Sequence, residues 1–310
     1  MNMQGSQSFR AGVYVAAYFG LWTIFFILLR GSPAFDAGEA LAALVILGLI
    51  LPALSLLSTR RVSALPYAVI QPAWETTALL VYLAVVAIVL VWGFGAVARI
   101  QSEPLHTVVL LGVKLATCVL APAAMLLVSG RYGIRELAPV SFHWAALRPA
   151  LWMSLAVFAM QALLGRGIHD IRQAHFPVWT LAVAAPLSFA WLVVEVGVVE
   201  EFFFRVLLQE RLAAVLRSPC GGLVVAAVLF GLVHAPGLYL RTAATQESIG
   251  PHPSLLMAVG YSIVMTSLAG LFVGVLWLRT RNFAVVVLVH AAGDLLPNLV
   301  PWIKAFHLAA

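Results

Sequence analysis

Three groups of ionisable residues stand inside otherwise apolar runs of this chain. The stretch "VVEEFFFRVLLQER" (198–211) carries Glu200, Glu201 and Arg205; Phe230-x-x-x-His234 follows, then His290-x-x-x-Asp294 with Asn298 four residues further on. Glutamate accepts a proton from water, imidazole can accept and donate at its two nitrogens, and arginine balances a carboxylate. Such a set is equipped to activate water or to hold a metal ion. Residues four apart share a helix face, so Glu201/Arg205 and His290/Asp294/Asn298 form two polar stripes. A charge in lipid is costly enough that these stripes must face a protein interior or a wet cavity. Small residues or Ser/Thr would join helices at less penalty, which argues that the charges are there for chemistry.

The elements that position these groups follow from composition. Hydrophobic residues make up 63% of the 310, charged residues 10%, and mean hydropathy is +1.03, far beyond a soluble domain. Apolar runs fall at 11–29, 40–57, 76–98, 106–128, 146–164, 178–208, 222–240, 255–278 and 282–300. Each is roughly 20 residues or more, the length of a membrane helix and too long for barrel strands. The fold class is therefore all-α, a polytopic transmembrane helical bundle of eight to nine spans, with Pro186 kinking the long sixth run or marking its start. Before residue 130, Lys114 is the lone intramembrane charge; from Glu195 onward charges accumulate. Residues 1–130 thus read as scaffold helices and 131–310 as the domain with the chemistry, its motifs within 195–298. Lys114 is expected to make a structural pair with Glu195.

With the N-terminus in the cytoplasm, ten basic residues (Arg10, Arg60, Arg61, Arg131, Arg135, Arg148, Arg211, Arg217, Arg279, Arg281) lie inside and six (Arg30, Arg99, Arg166, Arg172, Arg241, Lys304) outside, so the positive-inside bias favours that orientation. The same bias accounts for the net charge of +6 and requires no nucleic-acid partner. The first run is too long for a signal core and reads as an anchor. Cys118 and Cys220 have no metal or disulfide spacing. "RGIHDIRQAHF" (166–176) reads as an interfacial loop or helix. If the sixth span surfaces at Gln209, Glu210 and Arg211, Glu200 lies roughly 15 Å deep, with His234 roughly 18–20 Å, His290 roughly 14 Å and Asp294 roughly 20 Å below the same surface.

Glu200-Glu201-x-x-x-Arg205, Phe230-x-x-x-His234 and His290-x-x-x-Asp294, in that order on successive late spans, resemble the CPBP family of intramembrane proteases, which includes the Rce1-type CAAX-processing endopeptidases and the bacterial Abi proteins. The resemblance covers roughly residues 180–300. It implies an endopeptidase whose site opens to the cytosol, in which Glu200 activates water, Glu201 and Arg205 form a supporting ion pair, His234 helps hold the water, and His290 with Asp294 stabilises the oxyanion. No serine nucleophile motif is present. Many members have Asn where this chain has Asp294, and an ionised Asp cannot donate a hydrogen bond. Either Asp294 orients the Nδ1–H of a neighbouring His, or Asn298 supplies the missing donor. A zinc version of the same hydrolysis, with Glu200, His234, His290 and Asp294 as ligands, stands beside the favoured reading, which uses no cofactor. Sixteen of the eighteen basic residues are Arg, which suits a bacterium with a GC-rich genome. The expected setting is a bacterial inner membrane and the expected substrate a membrane-anchored protein tail or small peptide. A transporter, for which the sequence lacks repeat symmetry, and a non-catalytic immunity or chaperone-like protein are the other classes.

Overall fold

The computed structural model describes residues 3–97, 99–129, 131–240, 249–250 and 252–308; Arg241 lies outside them. Among the described residues all regular structure is helical, and nine helices are long and apolar enough to cross a membrane: Gln7–Leu29, Ala37–Ser58, Pro72–Val89, Glu103–Leu127, Trp144–Leu164, Val178–Val215, Pro219–Tyr239, Leu255–Thr280 and Phe283–Ala305. The chain is a multi-pass membrane protein. Its bounds agree with the apolar runs to within a few residues except in the sixth span, which continues to Val215. At 1.5 Å per residue its 38 residues run about 57 Å, against about 30 Å of hydrocarbon. That helix is therefore inclined or extends beyond the apolar layer. Pro186 lies inside it.

Two compact units interleave along the sequence. The first consists of Met1–Leu57, Tyr67–Ala87 and Phe204–Arg279. Its centre is the eighth span, 78% of whose most apolar window is buried. Tyr18 and Trp22 of the first span reach it, the Tyr18 hydroxyl at 2.8 Å from Ser267 Oγ and the Trp22 indole donating to the Val264 carbonyl at 2.9 Å. Glycine allows the seventh and eighth spans to touch backbone to backbone: a Cβ on Gly231 would lie 2.5 Å from the Ser262 carbonyl oxygen. Close approach through small residues is how membrane helices gain packing energy where lipid removes the hydrophobic drive.

The second unit consists of Ser58–Pro66, Ile88–Phe203 and Thr280–Ala310. Its ninth span packs on the fifth, on the first part of the sixth and on a short helix, Gly167–Ala174, the element expected at the interface. Two glycines set these contacts. A Cβ on Gly167 would meet the Leu296 carbonyl group at 2.6 Å, and one on Gly197 would meet Val287 Cγ1 and the Val287 oxygen at 2.8 Å. Ala184 closes the far end against Leu299 and Ile303.

Candidate active site

Glu200 and Glu201 sit in a single α-helical turn, Val199–Glu201, between two π-helical stretches, Val193–Val198 and Phe202–Gln209. Among the described residues, three other spans contain π-helical turns, at Leu44–Ile50, Ala116–Leu120 and Ser262–Thr266, and the sixth alone has two. Such turns insert a residue into the ladder and recur at functional sites. Here they re-aim the side chains on either side of the paired carboxylates.

Within the second unit the structure brings Glu200, Glu201, His290 and Asp294 together. The Gly197–Val287 contact lies one helical turn before Glu201 on one helix and before His290 on the other, so it holds the two side chains at bonding distance. His290 Nδ1–H donates to Glu201 Oε1 at 2.6 Å, the length of a charge-assisted bond. The opposite ring nitrogen, Nε2, stands 3.9 Å from Glu200 Oε2 and 3.8 Å from Asp294 Oδ2. Exposure is graded across the set: the Glu201 side chain is 0% exposed, His290 12%, Glu200 20% and Asp294 34%. Glu201 is thus the sealed anchor of the imidazole, and the Nε2 edge with its two carboxylates is the accessible side. This corrects the idea that Asp294 takes a histidine Nδ1–H: for His290, Glu201 holds that place. Asn298 donates its amide to the Asp294 backbone carbonyl at 2.8 Å, so that donor is turned onto its own helix.

Lys114 and Glu195 form the expected pair, Nζ to Oε1 3.0 Å, and the Trp191 indole donates to the other Glu195 oxygen at 2.5 Å. The fourth span meets the Val199–Glu201 turn with its own π-helical stretch, which places Lys114 within electrostatic range of Glu200 as well.

Within the first unit, Arg205 is fully buried with its guanidinium 5.0 Å from the Phe230 ring centre, a cation–π distance. Phe204 meets the same ring edge-on at 5.2 Å. His234, between the helix Pro219–Leu232 and the turn Ala235–Tyr239 of the seventh span, donates its Nδ1–H to the Phe230 carbonyl at 2.7 Å. Since a carbonyl only accepts, Nε2 is the proton-accepting nitrogen of the neutral ring. Phe204, in this unit, and Phe202 and Phe203, in the other, are buried and pack the cores of their units.

Gln209, Glu210 and Arg211, expected where the sixth span surfaces, lie inside a helix that continues to Val215. All three are buried, because each has an internal partner. Gln209 donates to the Gly274 carbonyl at 3.0 Å, Glu210 accepts the Trp277 indole N–H at 3.0 Å, and Arg211 pairs with Glu75 at 2.8 Å. Measured instead from Val215, Glu200 lies about 22 Å along the helix from its end. Glu75 and Trp277 were not singled out from the sequence, although Glu75, a carboxylate in the first turn of an apolar span, was a visible signal.

A zinc ion with bonds of about 2.0–2.1 Å in tetrahedral geometry separates its ligand atoms by about 3.3–3.4 Å. The 3.8 and 3.9 Å separations at His290 Nε2 are wider. Among the described residues no group of three or more His, Cys, Asp or Glu is arranged to hold a metal ion.

Residues 182–296 match a family model described as Type II CAAX prenyl endopeptidase Rce1-like. This segment resembles that family. It takes in Glu195, Glu200, Glu201, Arg205, His234, His290 and Asp294 and leaves out Lys114 and Glu75. The family implies an intramembrane endopeptidase. No curated protein and no solved structure matches the chain.

Proposed function

We propose that the chain hydrolyses a peptide bond close to the end of a membrane-associated C-terminal tail or in a small peptide, without a metal ion. The reading is carried by one observation: Glu201 fixes His290 through Nδ1 at 2.6 Å, which turns Nε2 to the accessible carboxylates of Glu200 and Asp294 inside the Rce1-like segment. Glu200 is the general base that takes a proton from water. His234 accepts from water at Nε2, the nitrogen left free by its bond to Phe230. His290, protonated, donates from Nε2 to the oxygen of the tetrahedral intermediate, where a fixed donor in a low-dielectric site is most effective. Asp294 stands beside that donor as a second, more exposed group.

Residues 131–310 constitute the protease part and 1–130 its scaffold. The protein sits in a bacterial inner membrane with its N-terminus in the cytoplasm and its site open to the cytosol, a placement supported by the ten-to-six distribution of basic residues. The test is to incubate purified protein in proteoliposomes with fluorogenic tail peptides. One set carries a prenylated CAAX sequence, as the family description names, and one carries an acylated tail without a prenyl group. Products are mapped by mass spectrometry. A cut within a few residues of the C-terminus is expected; intact peptides in both sets overturn the proposal.

A further inference from the structure

The polar triplet Gln209–Glu210–Arg211 within the sixth span plays no part in the proposed chemistry, yet Arg211 has a built environment. Its side chain is 0% exposed, and Nε stands 2.8 Å from Oε2 of Glu75, 3% exposed, in the first turn of the third span. The other Glu75 oxygen accepts the backbone N–H of Gln71 at 2.8 Å. One Arg211 terminal nitrogen, Nη1, donates to the Tyr67 hydroxyl at 3.1 Å, to the Leu207 carbonyl at 3.0 Å and to the Val206 carbonyl at 3.4 Å. Both carbonyls belong to the π-helical stretch Phe202–Gln209, which returns to α-helix at Glu210. Where a ladder reverts from i→i−5 to i→i−4 spacing, a carbonyl is released for another donor, and the guanidinium supplies that donor. The same stretch presents Phe204 and Arg205 to the Phe230 ring, and the Phe230 carbonyl fixes the ring of His234.

We infer that Arg211, locked by Glu75 and Tyr67, is a positioning residue for His234. It holds the Val206 and Leu207 carbonyls, this keeps the π-helical register, and the register sets Phe204 and Arg205 against Phe230. Loss of one inserted residue would turn the side chains of the stretch by about 100° around the helix axis, away from Phe230. The third span, outside the Rce1-like segment, thereby becomes part of the catalytic machinery. The functional consequence rests on the endopeptidase reading; the geometry does not.

Arg211→Lys separates positioning from mere stability. Lysine keeps a cation beside Glu75 but lacks the planar fork that serves a carboxylate, a phenol and two carbonyls together. In the full-length protein, hydrogen exchange of peptides spanning 202–215 should quicken in Arg211→Lys and in Glu75→Gln. The thermal midpoint of Arg211→Lys should stay close to wild type, and kcat on a prenylated or acylated tail peptide should fall roughly tenfold or more with KM unchanged, the signature of misplaced catalytic groups. A purely structural Arg211 would leave kcat per folded molecule at the wild-type value. Wild-type exchange across 202–215 in both variants, or wild-type kcat in Arg211→Lys, overturns the inference. Where the wild type turns over neither peptide, the endopeptidase reading falls by itself, and the exchange data still decide whether Arg211 holds the stretch.

Discussion

Replacing Gly197 with alanine tests whether close packing of the sixth and ninth spans sets the site. The new Cβ would lie 2.8 Å from both the Val287 oxygen and Val287 Cγ1, and 3.3 Å from the Val287 carbonyl carbon, whereas ordinary contact begins at 3.4 Å. A backbone carbonyl cannot swing aside as a side chain can, so the helices must part by about 0.6 Å to restore normal contact. Gly197 and Val287 are one turn from Glu201 and His290, and a displacement of that size would stretch the 2.6 Å His290–Glu201 bond to about 3.2 Å, the edge of useful hydrogen bonding. Overpacking of this kind costs about 1–3 kcal/mol, while alanine returns about 1 kcal/mol of helix propensity. The net loss of stability is therefore modest, about 0–2 kcal/mol. Turnover is the sensitive readout, because sub-ångström errors in a catalytic constellation cost about 10–100-fold. Thermal unfolding of the purified variant should shift little while tail-peptide cleavage falls by that factor. Wild-type turnover in Gly197→Ala would refute the claim that this contact positions the site.

Asp294→Asn separates the two mechanisms by sign. As a group beside the oxyanion donor, Asn can itself donate, so activity should hold or rise; as a zinc ligand it should weaken binding, and wild-type activity should be silenced by a strong chelator and restored by Zn²⁺. Chelator-resistant activity with an active Asp294→Asn is the expected pair of results. Lys114→Met removes the cation from Glu195 and leaves the Trp191 indole on its carboxylate, which should lower stability by about 1–3 kcal/mol, less than for a fully buried pair because both side chains are partly exposed. Adding Glu195→Gln should recover most of that loss in a thermal melt; a double variant no more stable than Lys114→Met would contradict a simple ion pair.

The membrane spans were legible because apolar length alone decides them, and the His290–Asp294–Asn298 ladder was legible because helical spacing is local. The Lys114–Glu195 pair was also readable, as two charges in lipid have few alternatives. The bond between Glu201 and His290 was not, because spacing links Glu201 to Arg205 on its own helix and says nothing of a residue on the ninth span. That link depends on the Gly197 close approach, and a glycine in an apolar run signals only that something comes near. The burial of the Gln209–Glu210–Arg211 triplet was hidden for a related reason. Charges at the end of an apolar run usually meet water, and only the tertiary arrangement supplies Glu75, Tyr67 and Trp277 as partners within the first unit. The π-helical turns beside Glu200 were equally invisible, since no residue preference marks an inserted residue in a helix.

Glu200→Gln tests the proposed chemistry most directly. The amide preserves size and shape but cannot take a proton from water. Purified variant and wild type would be compared in proteoliposomes for cleavage of the same tail peptide, with a thermal melt to establish that both are folded. Wild-type cleavage with no detectable product from an equally stable Glu200→Gln is the predicted result; a variant that cleaves at the wild-type rate would contradict Glu200 as the water-activating base.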